Sequence, residues 1–379
     1  MNEDKVLDIL KDLNIEFVVS LPCDRTKDLC AGMESKFHYV NINREEDGIG
    51  VCAGLALAGR RPLLQMQSSG LGNSMNAVMT LTDLYGLPLP VIASWRGVYN
   101  EKISAQIPFN SKIPEMLEAF NIGYTIVSNP SESELIREGI MKAFDNSEVH
   151  VILITPKFWE GSTPECCIPD KFPERCRHIS LSYEREIKSP VMKRADAIEA
   201  LVPFLSDMPV VCNIGVPCKE LYRADDRPEN FYMLGSYTQA TPIGFGVALG
   251  QEKDVMVVDG DGSLLGTAVL PAVAAESPEN LIILALDNGA FGSTGMQITH
   301  AWNICDLEFM AIGAGIKNTV KVHTKEELWA VLDRRKNGEL RGTLFIHAII
   351  LPGNSDAPNV PLSASEIKDR FLGVVTSKR

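Results

Sequence analysis

The stretch from Gly260 to Asn288 constrains this chain more than any other. It opens with Gly260-Asp261-Gly262-Ser263 and closes with Asp287-Asn288, followed by Gly289-Ala290-Phe291-Gly292. One apolar run, Val255-Met256-Val257-Val258, precedes the first group, and another, Leu281 to Leu286, precedes the second. Apolar runs of strand length that end in Asp, Gly and Asn predict buried parallel strands. The Ala-rich stretch 266–276 between them predicts a crossover helix. Strand, helix and strand place Asp261 and Asn288 at the carboxyl ends of neighbouring strands, where open α/β sheets bind ligands.

Asp and Asn oxygens are hard donors, of the kind an octahedral Mg²⁺ shares with phosphate oxygens. Asp-Gly and Asn-Gly are also the commonest residues of ordinary βα turns, so a lone Gly-Asp-Gly leaves both readings open. Asn288 arrives 27 positions after Asp261, behind a second apolar strand, a pairing more specific than a lone turn.

With 379 residues, 45% of them apolar, the chain has room for two domains with large cores. Its net charge of −13 and lack of a long basic run argue against nucleic acid or a membrane surface as the main partner. No apolar stretch is long enough to span a membrane, and Met1-Asn2-Glu3-Asp4-Lys5 does not open a signal peptide. Nine cysteines without a Cys-x-x-Cys pair read as reduced thiols of a cytoplasmic protein, with the adjacent Cys166-Cys167 as loop filler.

In chain order, an amphipathic helix at 3–13 leads to a strand at Phe17-Val18-Val19-Ser20 and another at Tyr39–Asn43. Arg44-Glu45-Glu46-Asp47 then opens a small-residue helix over 48–59. Further strands are expected at Pro62–Met66, Pro90–Ser94 and Val151–Thr155, with a helix starting within Gln67–Asn76. Residues 160–190 hold four prolines and little periodicity, which marks a linker. A second alternating series starts near Lys193, with strands at Pro209–Asn213 and Thr343–Ala348 around the Gly260–Asn288 unit. Ser363-Ala364-Ser365-Glu366 fits a capping box for a last helix. The fold class is therefore α/β, with two doubly wound parallel-sheet domains at 1–165 and 191–379 and a linker at 166–190.

Several segments from both halves carry a resemblance. They are Arg44 to Gly48 with Leu57-Ala58-Gly59-Arg60-Arg61-Pro62, Ser69-Gly70-Leu71-Gly72-Asn73, Trp95-Arg96-Gly97, Gly260 to Leu265, and Asp287 to Gln297. On these residues the whole chain resembles the thiamin diphosphate-dependent 2-oxoacid decarboxylases, with pyrimidine-binding and diphosphate-binding parts joined in one chain. The linker stands where larger members carry a middle domain.

The resemblance implies thiamin diphosphate and Mg²⁺ as cofactors. Asp261, Asn288 and the Ala290 carbonyl would hold the metal. Gly235, Ser236, Gly260, Gly262, Ser263, Phe291 and Gly292 would contact the cofactor. The family glutamate stands nine positions before a glycine of the small-residue helix, and counting back from Gly54 gives Glu45. Its implied task is a hydrogen bond to the aminopyrimidine ring that promotes loss of the thiazolium C2 proton. Read without the resemblance, Glu45 is an acid at a helix start, where the macrodipole favours one.

For the substrate, Ser68, Ser69, Gly70, Leu71 and Gly72 with Asn73 form either a helix N-terminus facing a carboxylate or a plain Gly-rich turn. Arg96 follows a strand, and is either the partner of a substrate anion or a surface arginine. Lys102 and Gln106 lie in a loop that would cover the pocket. No histidine has metal-ligand spacing. Tyr237-Thr238-Gln239-Ala240 departs from the usual segment that bends the cofactor, which leaves the wedge residue unassigned.

The implied activity is loss of CO₂ from 3-sulfopyruvate to give sulfoacetaldehyde, a step toward coenzyme M. The alternatives are 3-phosphonopyruvate as substrate, a carboligase, or a nucleotide-binding subunit without catalysis. The implied assembly is a homodimer or homotetramer with active sites between subunits.

Overall fold

A computed structural model of the chain describes residues 1–162 and 187–376. Most of the expected linker at 166–190, and with it Cys166 and Cys167, lies outside the described residues. The first six strands are β1 (Phe17–Ser20), β2 (His38–Asn41), β3 (Pro62–Gln67), β4 (Leu89–Ser94), β5 (Gly123–Val127) and β6 (Val149–Ile154). They form one parallel sheet in the order β2-β1-β3-β4-β6-β5.

The second half contributes β7 (Val210–Cys212), β8 (Asn230–Tyr232), β9 (Val255–Gly260) and β10 (Leu281–Asp287). A small antiparallel pair, β11 (Ala290–Phe291) and β12 (Gln297–Ile298), follows, then β13 (Asn318–Val322) and β14 (Leu344–Ile349). The second sheet runs β13-β14-β10-β9-β7-β8, again all parallel. Counted from its own first strand, it has the same order as the first sheet. The two halves share one topology, and each has a switch point between its first and third strands. Crevices at carboxyl strand ends open there.

Between β9 and β10 the register sets Gly260 beside Leu286. Asp261 and Asp287 therefore leave neighbouring strands at one level. The crossover expected over 266–276 is two helices, Asp261–Gly266 and Leu270–Glu276. The break has a cause in the other half: Asp47 accepts hydrogen bonds from Thr267 Oγ1 and the Ala268 amide, both at 3.0 Å. Those two residues leave the helical path to meet it. The capping box is present, with Ser363 and Glu366 exchanging bonds at the start of Ala364–Thr376.

The seam between the halves is built from helices Glu45–Leu57 and Ala240–Gly250, both buried along nearly their whole length. A Cβ on Gly54 would stand 2.0 Å from the Ile243 carbonyl oxygen, and one on Gly246 would stand 2.1 Å from that of Val51. Only glycine allows this approach. The Gly50 side of the contact meets Gln239 and Pro242, whereas Gly250 meets Ala58 and Arg60. The helices thus run in the same direction with their N-termini together. Tyr85 adds bonds to the Tyr232 carbonyl and the Leu234 amide, and one hydrophobic core continues through both halves.

Candidate active site

A cavity of about 480 Å³ lies at the carboxyl ends of β7, β9 and β10. The motif lines it with Gly260, Asp261, Gly262, Ser263, Asn288, Ala290, Phe291 and Gly292. Asp261 and Asn288 are buried, and the Thr299 hydroxyl donates to Asp261 Oδ2. Burial pushes the Asp261 carboxyl up to about 6, against the Thr299 bond, which lowers it; the Asp287 charge raises it further. A divalent cation would remove that penalty, since it favours the ionised form.

The donor set fits a metal shared with a diphosphate. It offers one carboxylate, one amide oxygen and one main-chain carbonyl, leaving the remaining positions of an octahedron to phosphate oxygens. Among the described residues no three His, Cys, Asp or Glu side chains gather as a self-sufficient metal site. The cavity wall also holds Asn213, whose buried Oδ1 has no hydrogen-bond partner among the described residues. Such an atom calls for a polar occupant.

Asp287 itself turns away from the cavity. Its Oδ1 accepts from the Gly289 amide at 2.9 Å and its Oδ2 lies 2.8 Å from His347 Nε2. Burial pulls the His347 imidazole down, but its bond to Asp287 and the Asp306 carboxylate 3.6 Å from Nδ1 outweigh burial and leave it above its ordinary value. His347 thereby fixes the turn that presents Asn288. Sequence reading gives it no role, because its partners come from other strands.

Glu45 is the first residue of its helix, half-buried beside the N-terminus of the Gly70–Ala77 helix. A Cβ on Gly70 would sit 2.4 Å from Glu45 Cγ. Asn73 donates from Nδ2 to Glu45 Oε2 at 3.2 Å. Glu46 is distinct: it pairs with Arg44 at 2.9 Å, and burial leaves its carboxyl above the ordinary value.

Two of the expected groups make contacts away from the cavity. Gly235 and Ser236 do not line the cavity but lie at the seam, where Ser236 Oγ is 2.7 Å from Thr80 Oγ1 and Gly235 closes on Thr80. Arg96 reaches the expected strand end, yet its guanidinium is committed elsewhere. Nε and Nη2 donate to Glu101 at 2.7 and 3.1 Å, and Nη1 donates to Asp24 at 2.7 Å. The Arg96 bond holds the Glu101 carboxyl down at about 2. A substrate anion would have to displace these partners.

The seam joins the two halves of one chain. Asp47, two residues from Glu45, bonds directly to the end of the helix that Asp261 begins.

The rest of the expected substrate group is only partly assembled. Gln67 Nε2 donates to Ser69 Oγ and, at 3.1 Å, to Gln106 Oε1, while Asn73 faces Glu45 and Lys102 stays exposed. Sequence reading misses Asn213, Gly215, Ser293, Thr294 and Arg194 along the cavity. Tyr237, the departure noted in the sequence, also lines it and donates to the Gly262 carbonyl.

Residues 3–118 match the N-terminal TPP binding domain of thiamine pyrophosphate enzymes, and residues 215–348 match their C-terminal TPP binding domain. A sulfopyruvate decarboxylase of Methanosarcina acetivorans is 44% identical, over 100% of this chain and 98% of that protein. A phosphonopyruvate decarboxylase of Streptomyces viridochromogenes is 29% identical, over 97% of this chain and 93% of that protein. In fold, the chain resembles the 4-hydroxybenzoylformate decarboxylase of Rhodococcus jostii RHA1, with a TM-score of 0.62 at 12% identity, covering 93% of this chain and 99% of that one.

Proposed function

The chain belongs to the thiamine pyrophosphate enzymes, among the sulfopyruvate decarboxylases, and on that premise we propose that it converts 3-sulfopyruvate to sulfoacetaldehyde and CO₂. The observation that carries this reading is the likeness to a sulfopyruvate decarboxylase along the entire chain, at 44% identity against 29% for the phosphonopyruvate enzyme. The same reading makes the protein a cytoplasmic enzyme serving coenzyme M formation. Residues 1–165 are its pyrimidine-binding domain and 191–379 its diphosphate-binding domain.

When bound, thiamin diphosphate supplies an electron sink for the pair left behind as CO₂ departs. Asp261, Asn288 and the Ala290 carbonyl would hold Mg²⁺ against the diphosphate, and Asn213 would meet it from the wall. Glu45 would hold a proton toward the aminopyrimidine ring, with Asn73 fixing its carboxylate. Asp47 and the paired glycines keep the Glu45 helix against the diphosphate half, which excludes water from the seam.

A homodimer or homotetramer is the assembly we propose. Its support is the exposure of several large apolar side chains along residues 291–309: Phe291, Met296, Ile298, Trp302, Ile304 and Phe309. A partner would cover apolar surface of this kind. Within the oligomer each site would lie between subunits, taking Glu45 from one chain and Asp261 from another.

The function is tested by supplying the protein with thiamin diphosphate and Mg²⁺, offering 3-sulfopyruvate, 3-phosphonopyruvate and pyruvate in turn, and measuring CO₂ and aldehyde. The highest kcat/KM is expected for 3-sulfopyruvate. Faster turnover of 3-phosphonopyruvate, or no CO₂ from any of them, overturns the reading.

A further inference from the structure

Arg194 is the first residue of the Arg194–Leu205 helix and one of the residues lining the Asp261 cavity. Its side chain is only 8% exposed. An arginine held this deep beside a ligand cavity requires an explanation. Part of it is Glu220, which accepts from Nε at 2.8 Å and from Nη2 at 3.3 Å and is itself 2% exposed. Nη2 also donates to Asn354 Oδ1 at 3.0 Å. The two N–H groups of Nη1 have no hydrogen-bond partner among the described residues, and Nη1 faces Gly292 on the cavity loop, 3.6 Å from where a Cβ there would stand.

The surroundings hold that nitrogen in place. Asn354 Nδ2 donates to the Gly292 carbonyl at 2.8 Å, so one side chain grips both Arg194 and the loop. Glu220 accepts from the Ser355 amide at 3.3 Å, and Leu351 pairs with the strand-like segment at Met192 and Lys193. The segment 351–355 is thereby fastened across the cavity's edge. Any side chain at position 292 would collide with Asn354 Oδ1 at 2.7 Å, so this closure also depends on glycine there.

We propose that Arg194 is a diphosphate-binding residue that donates from Nη1 to the terminal phosphate of the cofactor, with Glu220 and Asn354 as its positioning residues. This rests on the reading of the cavity as the thiamin diphosphate site. A diphosphate keeps negative charge after one Mg²⁺ is bound, and a guanidinium donating two N–H groups suits the phosphate oxygens left uncoordinated by the metal. Glu220 offsets the charge of Arg194 while the cavity is without an anion, so the arginine can be buried before the ligand arrives.

The test is direct binding to the cofactor-free protein in saturating Mg²⁺, by calorimetry, with thiamin diphosphate and thiamin monophosphate as probes. Two variants separate contact from folding. Arg194→Lys keeps a cation against Glu220 but loses the second N–H of the fork, and the double variant Arg194→Met with Glu220→Met removes the buried pair together. Both should weaken thiamin diphosphate binding by roughly ten- to hundredfold while changing thiamin monophosphate binding less than about threefold. Unchanged diphosphate affinity in both variants overturns the assignment, and so does equal weakening of the two probes. If the wild-type protein binds neither probe, the reading of the cavity itself falls.

Discussion

Asn73 and Glu45 are joined by a hydrogen bond of 3.2 Å across the start of the Gly70–Ala77 helix. The contact is possible because residue 70 is glycine; a Cβ there would stand 2.8 Å from both Glu45 Cδ and Oε1. A residue expected beside the substrate is therefore bonded to Glu45, the acid proposed to act on the cofactor.

Asn73→Ala should consequently lower kcat while leaving KM for the oxoacid nearly unchanged. The bond is charge-assisted but exposed, so its loss is worth about 1.5 kcal/mol, or about tenfold in rate. Steady-state kinetics decide the matter. A rise in KM at constant kcat would return Asn73 to the substrate.

Gly54→Ala is expected to loosen the seam. The added methyl gains about 1 kcal/mol of helix propensity. It must also displace main-chain atoms, the Ile243 oxygen and the Val247 nitrogen, which no rotamer change can do. Overpacking of that kind costs about 3 kcal/mol, so destabilisation wins. Thermal unfolding should show a lower Tm and weaker cofactor binding. Gly373→Ala, on a helix with nothing within 4 Å of the new methyl, should instead stabilise by about 0.5–1 kcal/mol.

Asp47 makes the seam sensitive to pH. Burial holds its carboxyl above the ordinary value, against the lowering effect of its bonds to Thr267 and Ala268. The folded protein therefore binds this proton more tightly than the unfolded chain. The contribution is fully present below the ordinary value of about 4 and is lost as pH rises through the folded-state value. Asp47→Asn keeps hydrogen-bonding atoms in place without the charge. Melting curves should coincide with wild type near pH 4 and show a higher Tm at neutral pH. A variant less stable than wild type at both would refute the assignment of the shift to burial.

Active sites between subunits make a prediction about mixed oligomers. Glu45→Gln and Asp261→Ala should each be inactive, and co-expressing them should restore about a quarter of wild-type activity, the share expected from random pairing in a two-fold dimer. No recovery in purified mixed dimers would mean that the two residues act within one chain.

Much of this arrangement is legible in the sequence, and the exceptions have physical causes. Asp261 and Asn288 follow apolar strands directly, so the turn that presents them is a local property of the chain. Strands Gly123–Val127, Asn230–Tyr232 and Asn318–Val322 escape notice, and all three lie at sheet edges, where a strand needs no long apolar run. Arg96 is placed well by its strand, but its partner Asp24 is contributed by another loop. Asn213, Arg194 and Asn354 carry no signal at all. They come from the strand end, helix start and tail that the parallel topology gathers around the cavity, and only the folded chain reveals them.

The central step of the proposed function is Glu45 acting upon a cofactor held by the Asp261 cavity. Exchange of the cofactor's C2 proton for deuterium, followed by NMR after acid quench, tests it most directly. Glu45→Gln should bind thiamin diphosphate within about threefold of wild type yet exchange the proton at least about a hundredfold more slowly. Exchange at the wild-type rate in the loaded variant would contradict the account.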